Sequence, residues 1–262
     1  MEISVNGLKA FAATGGRALN ANEPAVIFVH GAGLDRTIWQ LQTRNIAFMG
    51  RRVYALDLPA HGRSDGQPLA TITDMADWVV AFMDAAGIDK AKLIGHSMGA
   101  FVSLETAAKH PDRVEKLCLM GVAETMPVHP DLLAAAKDNQ NLAPQLIVCW
   151  GLGEAAKIGG HPHPGYWLKN SCQTLLERAK NGVLFNDLTA CDHFKGALDA
   201  ATRVDCETLF VLGKDDMMTP VKKARPLADA VQTSTTAMIE DCGHMLMNER
   251  PHQVFEALKR FV

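Results

Sequence analysis

The chain has 262 residues, 48% of them hydrophobic and 21% charged, which is enough apolar material for one sizeable core. Its 26 Lys and Arg against 29 Asp and Glu leave a formal net charge of −3, with no run of five like charges. That mild balance excludes the electrostatic footprint of a protein that binds nucleic acid or an anionic membrane surface.

The first residues, MEISVNGLKAFAATGG, lack the basic start and unbroken apolar stretch of a secretory signal. Their alternation (Ile3, Val5, then Leu8, Ala10) predicts the opening strands of a sheet. Apolar runs of strand length follow at Ala25–His30, Val53–Asp57, Lys92–His96, Leu117–Gly121 and Thr208–Gly213, with a last one at Thr236–Glu240. Continuous rather than alternating apolar runs point to strands buried on both faces, as in a parallel sheet. Between them, Thr71–Ala86 places Ile72, Met75, Val79, Phe82 and Met83 on one helical face, with Thr71 as N-cap and Gly87 as the stop. A last helix begins near Pro251 and turns Val254, Phe255, Leu258 and Phe261 inward. Strand–helix alternation of this kind predicts an α/β fold with a mostly parallel, doubly wound sheet.

One stretch breaks the rhythm. Residues 124–187 hold helical pieces (Asp131–Lys137, Ser171–Lys180) and the turn-rich GGHPHPGYW, but no convincing strand. The predicted organisation is therefore a core of residues 1–123 and 188–262 with a helical cap, 124–187, inserted after the sixth strand. Trp150, Tyr166, Trp167 and Met126 are candidates for an apolar lining beneath that cap. No apolar segment reaches the length of a membrane span. The six cysteines (Cys118, Cys149, Cys172, Cys191, Cys206 and Cys242) form no C-x-x-C pair and read as free thiols. Cys242, two residues before a histidine singled out below, is the one candidate for an activity-linked thiol. The expectation is a soluble, cytoplasmic protein without nucleic-acid or membrane partners.

The residues that carry chemistry start with Gly95-His96-Ser97-Met98-Gly99, which follows an apolar strand directly and leads into a helix over Ala100–Lys109. A G-x-S-x-G elbow needs this strand–turn–helix context, because the serine must stand at a strained apex with its hydroxyl projecting from the sheet. A serine hydroxyl is a weak nucleophile at neutral pH and needs an adjacent base. His244, just past the last strand, is the candidate. The third member should be a carboxylate after the preceding strand, where Lys214-Asp215-Asp216 offers two. Asp241 and Glu124 compete, the first only three residues from His244 and the second just past the strand ending at Gly121. An oxyanion needs two amide donors: one from Met98, after the serine, and one from the loop His30-Gly31-Ala32-Gly33. Histidines 30 and 61 read as structural, the first bracing that loop and the second bonded within its own turn. His161 and His163, each before a proline, have no carboxylate or cysteine at metal-ligand spacing.

Together the HGAG loop, the segment Asp57-Leu58-Pro59-Ala60-His61-Gly62-Arg63-Ser64, GHSMG, GKDDMMTP and CGHM resemble the α/β-hydrolase superfamily, in particular its esterase, C–C hydrolase and perhydrolase-like branches. The likeness spans residues 20–120 and 205–262. It implies Ser97, Asp216 and His244 as a catalytic triad, since Gly213, Asp216 and Pro220 match the family's spacing around the acid. It also implies Ala32 as the second oxyanion amide beside Met98. No cofactor or metal is implied. The resemblance argues for a carboxylesterase acting on a small-molecule ester. A serine at the elbow argues against relatives with a carboxylate nucleophile. HGAG continuing as Leu34-Asp35 lacks the proline typical of C–C hydrolases. Perhydrolase chemistry with the same triad, and a hydrolase-like sensor of one small molecule, stay open as alternatives.

Overall fold

The structure is a computed structural model that describes residues 1–163 and 165–262. Eight strands form one sheet: β1 (Glu2–Val5), β2 (Leu8–Ala13), β3 (Ala25–Val29), β4 (Arg52–Asp57), β5 (Ala91–His96), β6 (Val114–Met120), β7 (Glu207–Gly213) and β8 (Ser234–Ile239). Their order across the sheet is β1-β2-β4-β3-β5-β6-β7-β8. The pairs β1–β2 and β2–β4 are antiparallel, and every pair from β4 to β8 is parallel. The mostly parallel sheet expected from the apolar runs is therefore present. All five side chains of β3 are buried, as its unbroken AVIFV run requires of a central strand. Burying one such large apolar side chain contributes roughly 1.5–3 kcal/mol. The sixth strand starts three residues earlier than expected, because Val114 and Lys116 pair with Ala91 and Lys92 of β5 and extend the ladder past its apolar part, where Lys116 also meets Glu207 of β7 at 2.7 Å.

Helices cover both faces. The framework helices are α1 (Gln40–Phe48), α2 (Ile72–Ala85) and α3 (Met98–Lys109). Between β6 and β7 come α4 (Pro130–Lys137), α5 (Leu142–Gly151), α6 (Glu154–Lys157), α7 (Leu168–Glu177), α8 (Val183–His193) and α9 (Ala197–Thr202). The chain closes with α10 (Val221–Ala230), α11 (Leu246–Glu249) and α12 (Pro251–Phe261). One core cluster lies under α2, α3, α9 and α10, and the other under α1, α12 and the insertion. Local chemistry explains the helix ends. The Thr71 hydroxyl accepts the Asp74 amide at 3.0 Å at the start of α2, and Gly87 beyond its end has φ 63°. Pro251 opens α12, whose Val254, Leu258 and Phe261 are buried at helical spacing.

Among the described residues, the regular elements of the insertion are all helices. The boundary expected at residues 187 and 188 falls inside α8, so that helix is continuous from the insertion into the framework. No helix among the described residues is long and apolar enough to cross a membrane.

Candidate active site

Parallel strands all end on one edge of the sheet, and loops at that edge converge on a common crevice. Here β3 leads into Gly31–Gly33, β5 into Ser97, β7 into Asp216 and β8 into His244. Ser97 has φ 53° and ψ −118°, a strained geometry for a residue with a side chain, and its amide bonds the Met120 carbonyl at 2.9 Å. The flanking glycines permit it. A Cβ on Gly95 would stand 2.0 Å from the Gly99 carbonyl oxygen, and one on Gly99 would stand 2.2 Å from the Val29 carbonyl oxygen. Strand β5, helix α3 and the end of β3 thus approach closer than any side chain allows.

Asp216 and His244 form a buried pair, with His244 Nδ1 2.8 Å from Asp216 Oδ2. The other Asp216 oxygen accepts the amides of Met218 and Thr219, each at 2.8 Å. The Thr219 hydroxyl donates to Oδ2 at 2.6 Å. Burial by itself would raise the Asp216 pKa; the neighbouring His244 and the hydrogen bonds from His244 and Thr219 outweigh it and hold the carboxyl at about 2. Asp216 is therefore ionised at neutral pH. Neither competing carboxylate bonds His244: Asp241 is exposed at φ 48°, and Glu124 is anchored by its amide to the Lys223 carbonyl at 2.9 Å.

Ser97, His244 and Ala32 line one cavity of about 320 Å³. It sits under the insertion, which contributes Met126, Leu132, Ile147 and Trp150, and Leu188 joins them from the second half of α8. Tyr166 and Trp167 do not line it: Tyr166 borders a separate groove with Arg178, and Trp167 is 62% exposed. No Lys, Arg, Asp or Glu lines the cavity among the described residues. The structure records no hydrogen bond between Ser97 and His244, a contact that in ligand-free enzymes commonly tightens only when substrate is held. Met98 is the first residue of α3, so its amide has no intrahelical acceptor.

Other residues hold this arrangement without being singled out by the sequence pattern. His96 donates from Nε2 to the His244 carbonyl at 2.9 Å, tying the elbow to the histidine loop. Burial, then the proximity of His244, pushes the His96 pKa down to about 3, so it stays neutral. Glu249, fully buried, accepts the amides of Gly153 (2.9 Å), Gly243 (3.1 Å) and Met245 (3.1 Å), gripping the chain on both sides of His244. Burial raises its pKa despite those three donors. Its signal in the sequence is a carboxylate five residues past the histidine, after the apolar run Met245-Leu246-Met247. The signal for Thr219 is its place at the end of an Asp-x-x-Thr turn.

The two histidines read as structural are so. His30 Nδ1 donates to the Gly31 carbonyl at 2.9 Å, and its Nε2 accepts the Leu58 amide at 3.3 Å. Burial and then the neighbouring His61 lower its pKa to about 4. His61 bonds Pro59 within its turn at 2.9 Å and also Asp187 of α8 at 2.8 Å. His161 donates to the Asn248 carbonyl at 2.7 Å and accepts the His163 amide at 3.1 Å, so both ring nitrogens are engaged. All six cysteines are unpaired, and burial pushes the Cys242 thiol far above its ordinary range.

A model of the alpha/beta hydrolase family matches residues 26–257. This chain belongs to that family. It is 23% identical over 92% of its length to (E)-2-((N-methylformamido)methylene)succinate hydrolase of Acinetobacter baylyi, covering 90% of that protein. It is 26% identical over 90% of its length to a putative carbamate hydrolase of Variovorax paradoxus, covering 88% of it. Among solved structures, the enol-lactonase of Burkholderia xenovorans superposes with a TM-score of 0.88 at 21% identity, over 100% of this chain and 99% of the other. A thermophilic esterase of Thermogutta terrifontis superposes at 0.85 and 22% identity, over 100% and 97%. At such identities the structural likeness speaks for the fold.

Proposed function

We propose that this protein is a serine carboxylesterase that hydrolyses small, uncharged carboxylic esters through an acyl-enzyme. The observation that carries the reading is the buried His244–Asp216 pair sharing one apolar cavity with a serine held at a strained elbow. In this mechanism Asp216 keeps the proton of His244 on Nδ1, leaving Nε2 as the base. His244 takes the Ser97 proton as Oγ attacks the ester carbonyl, and the amides of Ala32 and Met98 bind the oxygen as it gains charge. The tetrahedral intermediate collapses, and His244 returns the proton to the departing alcohol. Water deprotonated by His244 then attacks the acyl-enzyme, and the acid leaves with Ser97 restored.

The cavity supports the substrate class. Its volume of about 320 Å³ lies at the low end of the roughly 300–1,000 Å³ found for small-molecule sites. Without a lining Lys or Arg it offers little to offset the desolvation of a substrate carboxylate. That argues against the doubly acidic succinate skeleton named for the Acinetobacter relative. The six unpaired cysteines support a cytoplasmic location.

Purified protein is expected to turn over short p-nitrophenyl esters repeatedly, and Ser97→Ala to lower kcat by about 10⁴-fold or more. Equal, slow hydrolysis by both proteins would overturn the esterase reading. A single stoichiometric turnover would point to a sensor instead.

A further inference from the structure

A second buried His–Asp pair stands behind the oxyanion loop and takes no part in the mechanism above. His61 Nε2 lies 2.8 Å from Asp187 Oδ2, with side chains 2% and 0% exposed. Asp187 belongs to α8 and reaches residues far from it in sequence. The same Oδ2 accepts the Gly33 amide at 2.9 Å. Oδ1 takes the Asn186 side-chain amide at 3.3 Å.

The protonation of this pair follows from its partners. His61 Nδ1 faces the Pro59 carbonyl at 2.9 Å while Nε2 faces the carboxylate. Both partners only accept, so both ring nitrogens carry a proton and His61 is an imidazolium. Its ring packs on His30 with centroids 4.6 Å apart. His30 in turn donates to the Gly31 carbonyl at 2.9 Å.

Two anchors therefore grip the loop on either side of Ala32. Gly31 is held through its carbonyl by His30, and Gly33 through its amide by Asp187. The turn between them closes with the Leu34 amide on the Gly31 carbonyl at 3.2 Å. Gly33 sits at φ 65°, where a Cβ would stand 2.7 Å from Leu184 of the same α8. Loop and helix are thus in direct contact as well as hydrogen-bonded. The amide of Ala32 has nowhere to drift while both neighbours are fixed.

We propose that Asp187, with His61, is a positioning residue that holds the Gly31–Gly33 loop in place so that the Ala32 amide meets the developing oxyanion. The proposal rests on the esterase reading, in which Ala32 supplies that amide. Helix α8 also contributes Leu188 and Cys191 to the cavity wall, so one helix both shapes the substrate space and sets the oxyanion donor.

The test compares wild type with Asp187→Asn in two assays. One is the rate of Ser97 phosphonylation by a fluorophosphonate, followed by intact mass. The other is steady-state hydrolysis of p-nitrophenyl butyrate, with thermal unfolding checked in parallel. A donor displaced from the oxyanion lowers the rate of the chemical step and leaves ground-state binding alone. Asp187→Asn is expected to slow both phosphonylation and kcat by about 10- to 100-fold, with KM within about two-fold. Equal phosphonylation rates, or a loss confined to KM, would overturn the proposal while leaving the esterase reading intact. Wild type that is not labelled at Ser97 would overturn the esterase reading first and this one with it. If Asp187→Asn does not fold, His61→Gln serves in its place. It leaves the carboxylate on Gly33 but removes the imidazolium that orients it, and the same slowing is expected; an unchanged rate would overturn the proposal.

Discussion

The two buried His–Asp pairs are alike in length, each at 2.8 Å, and alike in burial, yet they stand in opposite relations to the cavity. His244 spends one nitrogen on Asp216, and its Nε2 has no protein partner among the described residues. His61 spends both nitrogens, one on Asp187 and one on the Pro59 carbonyl. A histidine can exchange protons with a substrate only through a nitrogen that the protein leaves unclaimed. The pair itself is therefore no mark of catalysis. What the second nitrogen meets decides whether the same chemistry serves as a base or as a strut.

The largest expected effect tests the side of the comparison that faces the cavity. His244→Ala removes the unclaimed Nε2, and it is expected to lower kcat on p-nitrophenyl butyrate by about 10⁴-fold or more. The neighbouring His96 should not rescue it. Its Nδ1 also lacks a partner, but that atom is buried against Gly31, and a pKa of about 3 makes the ring a poor base. Asp216→Asn should cost about 10³- to 10⁴-fold, because the imidazole loses its fixed tautomer. Glu124→Gln should stay within about two-fold. Steady-state kinetics on the three variants checks all of this, and a large loss in Glu124→Gln would reassign the acid.

Asp187→Asn, at about 10- to 100-fold, falls between these extremes. A strut should cost less than a base, and a loss as deep as that of His244→Ala would erase the distinction.

A smaller effect separates the pairs by pH. The folded His61 pKa is raised: burial opposes its charge, but the charge and hydrogen bond of Asp187 outweigh burial. Its stabilising contribution is therefore complete below the ordinary imidazole value of about 6.5 and is lost as pH rises through the folded value. His30, Asp57 and Cys191 are titratable groups beside this pair, and Asp35 lies near His30. Asp216 is depressed to about 2. Its contribution is complete above about 3.9 and is lost as pH falls through the folded value. Asp187 adds to that acid-side loss, since burial would raise its pKa but the charge and hydrogen bond of His61 hold it below the usual carboxylate range. Thermal unfolding across pH should show the gap between wild type and His61→Gln narrowing on the alkaline side. The gap to Asp216→Asn should narrow only in acid. Parallel curves for the two variants would mean that the pairs do not differ in charge state.

The smallest effect concerns the thiols. N-ethylmaleimide is expected to modify the exposed Cys149 and to leave ester hydrolysis unchanged, because Cys242 is buried with its pKa raised. Inactivation that tracks labelling of Cys242 would restore the activity-linked thiol.

The parts of the site that chemistry forces to be local were legible in the chain. An elbow needs glycines two residues either side of Ser97, and an acid and a base must follow strand ends, so GHSMG, GKDDMMTP and CGHM could be read directly. The helix over Thr71–Ala86 was equally legible, because capping and a 3.6-residue period act within a few turns. Helix α5 was not: it carries Pro144 near its start and is apolar around most of its circumference, so it shows no stripe. Asp187 lies within the buried stripe of α8, beside Val183, Leu184, Leu188 and Cys191, where a lone carboxylate signals a partner without naming it.

By itself, then, the sequence determined the strands, helices α2, α3 and α12, and the identity of the serine, acid and histidine candidates, since each depends on neighbours a few residues away. The tertiary structure decided the order of the strands and which of the carboxylates Asp216, Asp241 and Glu124 meets His244. It also decided that Tyr166 and Trp167 stand outside the cavity, and that Asp187 grips Gly33 and His61. Those outcomes depend on which distant segments meet when the two apolar faces of the sheet are covered, and burial then makes each polar group on that interface find a partner.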